Sequence, residues 1–217
     1  TVVQMHLNNR EVARDKADGT PGPGGRRWHD RRMPLTSRLA TPADLPALTP
    51  LVDAAIGRLL SPWLDAAQVE ASRAIMGVDS RLVDDGTYFV VEDDGSLAGC
   101  GGWSRRATLY GGDHTEGRDD ALLDPATQPA RIRAMYTHPD HTRRGVGRLV
   151  LRLCEAAAAA EGFTRVELMA TVAGRPLYEA AGYVVEEELT DSSTGVVIPL
   201  ARMSRSLAPD ATRAGRP

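Results

Sequence analysis

The order of apolar and polar positions predicts helices and strands that alternate along the chain. Between Leu45 and Leu59, apolar residues recur every three or four positions, which predicts an amphipathic helix that ends near Leu60. The pair Thr41-Pro42 is typical of a helix start, with a capping hydroxyl and a proline in the first turn. The runs TYFVVE and SLAGCGGWS, joined by the turn DDG, are typical of the two strands of a β-hairpin.

Over the whole chain the predicted order is β-α-α-β-β-β-α-β-α-β-β. Strands are predicted over residues 37–40, 87–92, 96–104, 131–137, 165–171, 183–189 and 196–204. Helices are predicted over residues 42–60, 65–76, 145–161 and 175–182. The helix over 145–161 is expected to turn one apolar stripe to the core, formed by Val146, Val150, Leu153, Ala157 and Ala160. Residues 105–129 are predicted to form a long polar loop. We therefore expect an α/β (α+β) fold, with one mixed β-sheet flanked by helices.

The two ends of the chain differ in composition from its middle. Residues 1–32 are rich in proline and glycine and carry seven basic and four acidic side chains. Such a segment cannot bury enough apolar surface to offset its ordering entropy, so we expect a disordered basic extension. It is either an upstream segment without a role in the fold or a short arm for an acidic partner. We expect the folded domain over residues 33–207 and a flexible tail over 208–217.

Composition restricts the classes of function. Of the 217 residues, 42% are hydrophobic and 25% are charged, and the formal net charge is −3. This balance is typical of a globular protein, and the charge does not favour nucleic acid as a partner. No run reaches the roughly 18 apolar residues of a membrane span. The two cysteines are too few for a disulfide framework and lack the spacing of metal ligands. We expect a cytoplasmic protein without a metal, membrane or nucleic-acid partner.

A glycine-containing turn carries the main functional signal. The strand RIRAMYT (131–137) is followed by HPDHTRRGVGRLVL (138–151), with two arginines and two glycines before the next helix. The first amides of a helix lack partners within it, and glycine lets a phosphate approach them closely. The stretch therefore predicts an anion site that suits a pyrophosphate. Two other interpretations compete: a dinucleotide-binding turn with Glu167 as its acidic residue, and glycines that only allow tight helix packing. A P-loop is excluded, because Gly-Lys-Ser/Thr is absent.

The stretch RIRAMYTHPDHTRRGVGRLVL, followed about 30 residues later by PLYEAAGY, resembles the GCN5-related N-acetyltransferase (GNAT) family. The resemblance extends over residues 37–205 in the order of elements. It implies a sheet splayed at its centre, between strands 131–137 and 165–171, with acetyl-CoA bound in the opening as co-substrate. It also implies direct transfer of the acetyl group to a primary amine of a small molecule or a peptide. Homodimers are common among similar proteins, so a homodimer is possible here.

The resemblance assigns roles to individual residues. Tyr178 matches the family's tyrosine that protonates the CoA thiolate, and Glu167 lies close to where some relatives place a glutamate base. The amide near Tyr136 would polarise the thioester carbonyl, in an oxyanion-hole role. The residues expected to bind the co-substrate are Met135, Tyr136, Thr137, Arg143, Arg144, Gly145, Val146, Gly147 and Arg148.

Two residues depart from the family pattern. Thr142 stands where the family usually has Gln or Arg, and Thr171 where it often has Asn. These departures favour an alternative function, a catalytically weak acyl-CoA-binding regulatory module of the same fold. The base also stays open, because a water chain to solvent can replace a single residue. His138 and His141 are expected to shape the loop before the helix.

The acceptor is expected to enter between the first two helices, the 105–129 loop and the final hairpin. His114 on that loop is a candidate to reach a substrate, and Trp63, Trp103 and Tyr110 are candidates for pocket walls or for the core. The loop is also acidic, which either attracts a cationic amine or only provides solvated charge. Its acidic residues are Asp113, Glu116, Asp119, Asp120 and Asp124.

Overall fold

Seven strands form one mixed β-sheet in the computed structural model, which describes residues 34–207. The strands are β1 (Thr36–Leu39), β2 (Tyr88–Asp93), β3 (Ser96–Ser104), β4 (Ala130–Thr137), β5 (Arg165–Thr171), β6 (Val184–Asp191) and β7 (Ile198–Ser206). Their order across the sheet is β1-β2-β3-β4-β5-β7-β6. Every neighbouring pair is antiparallel except β4 and β5, which are parallel. The mixed sheet predicted from the sequence is confirmed.

Five α-helices flank this sheet in the described part of the chain. They are α1 (Leu45–Leu60), α2 (Ala66–Ile75), α3 (Ser80–Asp84), α4 (Val146–Ala160) and α5 (Arg175–Ala180). The predicted helix start at Thr41 is present as a separate turn of 3₁₀-helix over Pro42–Asp44, where Thr41 and Asp44 form a capping box. Helix α3 was not predicted, because five residues are too few to show a helical period.

Two large apolar clusters cover the two faces of the sheet, and a smaller third cluster lies between α2 and β7. On one face, α1 buries Leu48 and Val52 against Tyr88 and Val90. On the other face, α4 packs mainly against β3 and β4. The apolar stripe predicted for α4 was partly wrong. The buried residues of the helix are Val146, Val150, Leu151, Cys154, Glu155 and Ala158, whereas Leu153 and Ala157 are half-buried and Ala160 is exposed.

The central pair of strands separates before either strand ends. Strand β4 pairs with β5 only from Ala130 to Ile132, opposite 166–168. Beyond that point β4 carries one extra residue relative to β3, and Ala134 adopts a φ of 49°. Such a bulge bends a strand and increases its twist. The Tyr88 hydroxyl donates a 3.0 Å hydrogen bond to the Ala134 carbonyl and so holds the bulge in place.

The separation leaves one edge of β4 without a strand partner. Strand β5 remains paired with β7 as far as Thr171 opposite Leu200, so only the β4 side of the gap changes direction. The final segment of β4 therefore presents unpaired backbone groups toward the gap. The predicted terminal segments, 1–32 and 208–217, lie outside the described residues. None of the described helices is long and apolar enough to cross a membrane.

Candidate active site

A cavity of about 110 Å³ lies in the gap between β4 and β5. Strands β4, β5 and β7, helices α2 and α5, and the loop over 105–129 all contribute to its wall. The apolar side chains that line it are Ile75, Met76, Leu109, Ile132, Ala134, Met135, Met169 and Leu200. The other lining residues are Tyr110, Gly111, Arg133, Tyr136, Thr171, Gly174 and Tyr178. The cavity thus contains Tyr178 and two of the predicted β4 contacts.

Helix α5 places Tyr178 in the wall of the cavity. The side chain is 8% exposed, and its hydroxyl lies 3.8 Å from the sulfur of Met135. Gly174 is close to the ring, because a Cβ there would lie 3.1 Å from Tyr178 Cε2. Burial, followed by the nearby Cys154 thiol, raises the pKa of Tyr178 well above its usual value near 10. The phenol is therefore protonated at neutral pH.

The structure does not bring Glu167 into the cavity with Tyr178. Glu167 lies on β5 opposite Arg131, in the short segment where β4 and β5 still pair. Its carboxylate forms ion pairs with Arg131 and, at 2.7 Å, with Arg202 on β7. Both carboxylate oxygens are thus engaged by guanidinium groups, so Glu167 has a structural role in joining β5 to β4 and β7.

The two glycines before α4 have different physical roles. Gly145 caps the helix with a φ of 87°, a left-handed conformation that L residues rarely adopt. A side chain at Gly147 would instead collide with a neighbour, since its Cβ would lie 2.9 Å from Leu177 Cδ2 and 3.5 Å from Thr137 Oγ1. Gly145 therefore shapes the turn, and Gly147 lets α4 approach α5 and the end of β4.

The arginines of this turn are not equivalent. Arg144 forms a 2.5 Å ion pair with Asp93, which also contacts His141 Nδ1 at 2.9 Å. Arg143 and Arg148 are exposed and have no ion-pair partner among residues 34–207. The positive end of the α4 macrodipole and two unpaired guanidinium groups thus lie together at the mouth of the gap.

The histidines before α4 contribute to the shape of this loop. His138 caps the 3₁₀ turn over Pro139–His141, because its Nδ1 accepts a 3.2 Å hydrogen bond from the amide of Asp140. His141 connects the turn to β2 through its contact with Asp93. Nowhere in the described range do three or more His, Cys, Asp or Glu side chains form a group that could hold a metal ion.

Backbone direction on β4 changes one predicted contact. The amide of His138 donates to the Ala98 carbonyl of β3 at 2.8 Å. Because successive amides of a strand point to opposite sides, the amide of Tyr136 also faces β3, whereas those of Met135 and Thr137 face the gap. The Tyr136 hydroxyl is turned away, toward α2, where it accepts from the Gly77 amide at 3.0 Å.

A buried charge network fixes the long loop to the sheet. Asp79 is fully buried and lies 2.8 Å from Arg133 of β4 and 2.7 Å from Arg118 of the loop. Arg133 also donates a 2.9 Å hydrogen bond to the Gly111 carbonyl, which places the Tyr110–Gly111 segment over the cavity. Sequence reasoning missed this network, because its members are far apart along the chain.

Four of the five acidic residues of the loop bind groups of the loop itself or of helix α3. Asp113 accepts hydrogen bonds from the amide and hydroxyl of Ser80. Asp119 and Asp124 accept amides two residues further along the loop. Asp120 lies 3.1 Å from Arg81. These carboxylates do not line the cavity.

Of the aromatic residues suggested as pocket walls, Tyr110 alone lines the cavity. Its hydroxyl donates a 2.9 Å hydrogen bond to Asp191 on β6. Trp103 is a core residue at 2% exposure, and Trp63 is 60% exposed on the turn after α1. His114 lies outside the cavity, packed next to Gly77.

A mixed sheet that opens between two parallel strands, with a helix N-terminus at the mouth and a buried phenol inside, defines an acyltransferase type of fold. The model of the acetyltransferase (GNAT) family matches residues 52–183, more than half of the chain. The chain belongs to this family, and the predicted family and fold are confirmed. None of the curated proteins matches the chain.

Solved structures show the same fold at low sequence identity. A GCN5-related N-acetyltransferase from Rhodopseudomonas palustris is 20% identical over 82% of this chain and 99% of that chain, with a TM-score of 0.60. PaiA N-acetyltransferase from Thermoplasma acidophilum, in complex with coenzyme A, is 14% identical over 80% and 99%, with a TM-score of 0.56. The structure of yncA from Salmonella typhimurium, with its cofactor acetyl-CoA, is 19% identical over 82% and 96%, with a TM-score of 0.55.

The Asp79 network predicts a large loss of stability when its carboxylate is removed. In Asp79→Ala, Arg133 and Arg118 would lose their shared buried partner, so we expect a loss of about 3–5 kcal/mol in the free energy of unfolding in urea. Proteolysis within 105–129 should become faster. Asp113→Ala removes a half-exposed carboxylate of the same loop and should cost no more than about 1 kcal/mol. Equal losses in the two variants would contradict this account of the loop.

Proposed function

We propose that the protein is an N-acetyltransferase that transfers the acetyl group of acetyl-CoA directly to a primary amine. The observation that carries the proposal is the unpaired edge of β4, which lies between the N-terminus of α4 and the buried phenol of Tyr178. Family membership supports it. So do the coenzyme A and acetyl-CoA named for PaiA and yncA.

The two halves of the gap suit the two ends of acetyl-CoA. Its pyrophosphate would lie on the first amides of α4, with Arg143 and Arg148 as additional charge. The pantetheine carries amide groups, and these would pair with the free edge of β4 at Met135 and Thr137 as an added strand would. When bound, acetyl-CoA supplies the acetyl group as a thioester.

Transfer to an amine needs donors for the developing oxyanion and a proton for the departing sulfur. The Met135 amide faces the gap and takes the oxyanion role that the sequence analysis placed near Tyr136. Tyr178 holds a phenolic proton in the same cavity and is the proposed general acid. The base is not assigned to Glu167, whose carboxylate is held by two arginines outside the cavity.

The cavity offers no group that would remove the proton of the amine. Among the described residues that line it, none is Asp, Glu or His. We therefore infer that the amine enters the cavity and attacks in its neutral form. The proton that it loses when the amide forms is then released to solvent. The absence of a base from this wall is also the observation that favours the second candidate, an acyl-CoA-binding regulatory module without turnover. Thr171, which stands where the family often has Asn, also favours this candidate. Its hydroxyl already accepts a 3.2 Å hydrogen bond from the Gly174 amide.

Removal of the arginines at the mouth should weaken the binding of acetyl-CoA. Arg143→Ala and Arg148→Ala should each raise the dissociation constant about fivefold, since an exposed ion pair contributes up to about 1 kcal/mol. Isothermal titration at low and high salt measures the effect, which should shrink as salt rises. Arg152 is exposed on the same helix, one turn further from the mouth, so Arg152→Ala should leave binding unchanged. An equal loss in Arg152→Ala would argue against a pyrophosphate site here.

Replacement of the proposed acid separates turnover from binding. In Tyr178→Phe we expect kcat to fall about a hundredfold or more, with the acetyl-CoA dissociation constant within about twofold of the parent. Release of free thiol in the presence of primary amines measures turnover. The control is Tyr183→Phe, whose hydroxyl donates to Glu155 outside the cavity and whose loss should spare kcat.

The pH dependence adds a second readout. Because burial raises the pKa of Tyr178, the phenol stays protonated as pH rises past 10, and its ionisation should not reduce the rate of the parent below about pH 10. Full turnover in Tyr178→Phe would overturn the role of this residue. Acetyl-CoA binding without acetylation of any amine would favour the regulatory module.

A further inference from the structure

We propose that the acceptor is a primary amine attached to an uncharged apolar or aromatic body, and that a second cationic group on the acceptor is rejected. This inference rests on the proposed N-acetyltransferase activity and specifies its substrate class. It follows from the chemistry of the cavity wall, to which no described Asp or Glu contributes.

The part of the wall formed by α2, the long loop, β5 and β7 is mainly apolar. Its apolar side chains are Ile75, Met76, Leu109, Met169 and Leu200, and Thr171 of β5 adds a hydroxyl that accepts a hydrogen bond from the Gly174 amide. Tyr110 adds an aromatic ring whose hydroxyl is fixed by Asp191. Methionine side chains adapt to ligand bodies of irregular shape. A wall of this kind gains free energy by excluding water from an aliphatic or aromatic group.

Among the described residues that line the cavity, the one charged residue is a cation. Arg133 is 4% exposed, and it is balanced by Asp79 beneath the loop. The Arg133 guanidinium also donates to the Gly111 carbonyl, so it belongs to the structure of the wall. A positive group that entered the cavity would meet Arg133 without meeting a free carboxylate.

The carboxylates around the cavity have other partners. Asp113 is bound by Ser80 and Asp120 lies against Arg81. Asp191 accepts from Ser193 and from Tyr110, and Glu167 is paired with Arg131 and Arg202. None of the described carboxylates of the loop lines the cavity, so the acidic loop does not form the ammonium-binding rim there that the sequence suggested.

These features treat the reacting amine and a second ammonium differently. Transfer from water into an apolar cavity disfavours the charged form of an amine, so its pKa falls and the neutral nucleophile is favoured. A second ammonium gains nothing from deprotonation, because it takes no part in the reaction. It would remain charged without a carboxylate partner, or would have to lose its proton at a further cost.

The test compares two amines of nearly equal shape. Hexylamine and 1,5-diaminopentane have the same number of non-hydrogen atoms and differ only in a terminal methyl or ammonium group. With the full chain and saturating acetyl-CoA, thiol release should give a kcat/KM at least about tenfold higher for hexylamine. Phenethylamine should also exceed 1,5-diaminopentane in kcat/KM, and a lower value would contradict the aromatic part of the inference.

Variants at Leu109 test the charge of the wall directly. Leu109 is half-buried on the loop and lines the cavity. Leu109→Glu adds a carboxylate there and should reduce or reverse the preference for hexylamine. Leu109→Gln matches its size without charge and should retain the preference. A loss of preference in both variants would contradict the electrostatic explanation.

The outcomes distinguish the inference from the activity on which it rests. Faster acetylation of 1,5-diaminopentane than of hexylamine by the parent protein would overturn the inference and leave the N-acetyltransferase activity intact. No thiol release with any of the amines, despite a rise in melting temperature with acetyl-CoA, would overturn the proposed activity and the inference with it.

Discussion

The parallel pairing between β4 and β5 stops after Ile132, and the cavity that contains Met135 and Tyr178 lies in the gap that this stop leaves. The bulge at Ala134 turns β4 away from β5. The buried Tyr88 hydroxyl holds the bulge in place from the face of the sheet that α1 covers. Backbone groups that a continuous sheet would satisfy are therefore free to bind a ligand. A local irregularity of one residue thus opens the centre of the sheet, where the proposed acetyl-CoA site lies.

The rest of the site is fitted around this opening. At the mouth of the gap, Gly147 has no side chain to crowd Leu177 and so allows a close approach of α4, while Gly145 provides the left-handed turn before the helix. The anion-site and tight-packing interpretations of the two glycines are thus complementary. Across the gap, Asp79 neutralises Arg133 and keeps the long loop over the cavity, so that an apolar wall can contain a buried arginine.

Local patterns in the sequence were sufficient for most elements and for the turn before α4, because helical period, capping residues and glycine positions act over a few residues. Such local patterns could not predict which side chains become partners across the sheet. Glu167 has the residue type of a base, but its surroundings are set by the register that places it opposite Arg131 and next to Arg202. The role of the acidic loop could not be predicted for the same reason. Ser80 and Arg81, which bind Asp113 and Asp120, lie on a helix too short to predict.

The central claim is that the free edge of β4 binds acetyl-CoA, and hydrogen exchange at individual backbone amides tests it most directly. Saturating acetyl-CoA should slow exchange at Met135 and Thr137 and in the first turn of α4. The exposed edge strand β6 should exchange at an unchanged rate, and NADH should produce no such pattern. Slowed exchange that spares β4, or that appears equally with NADH, would contradict the claim.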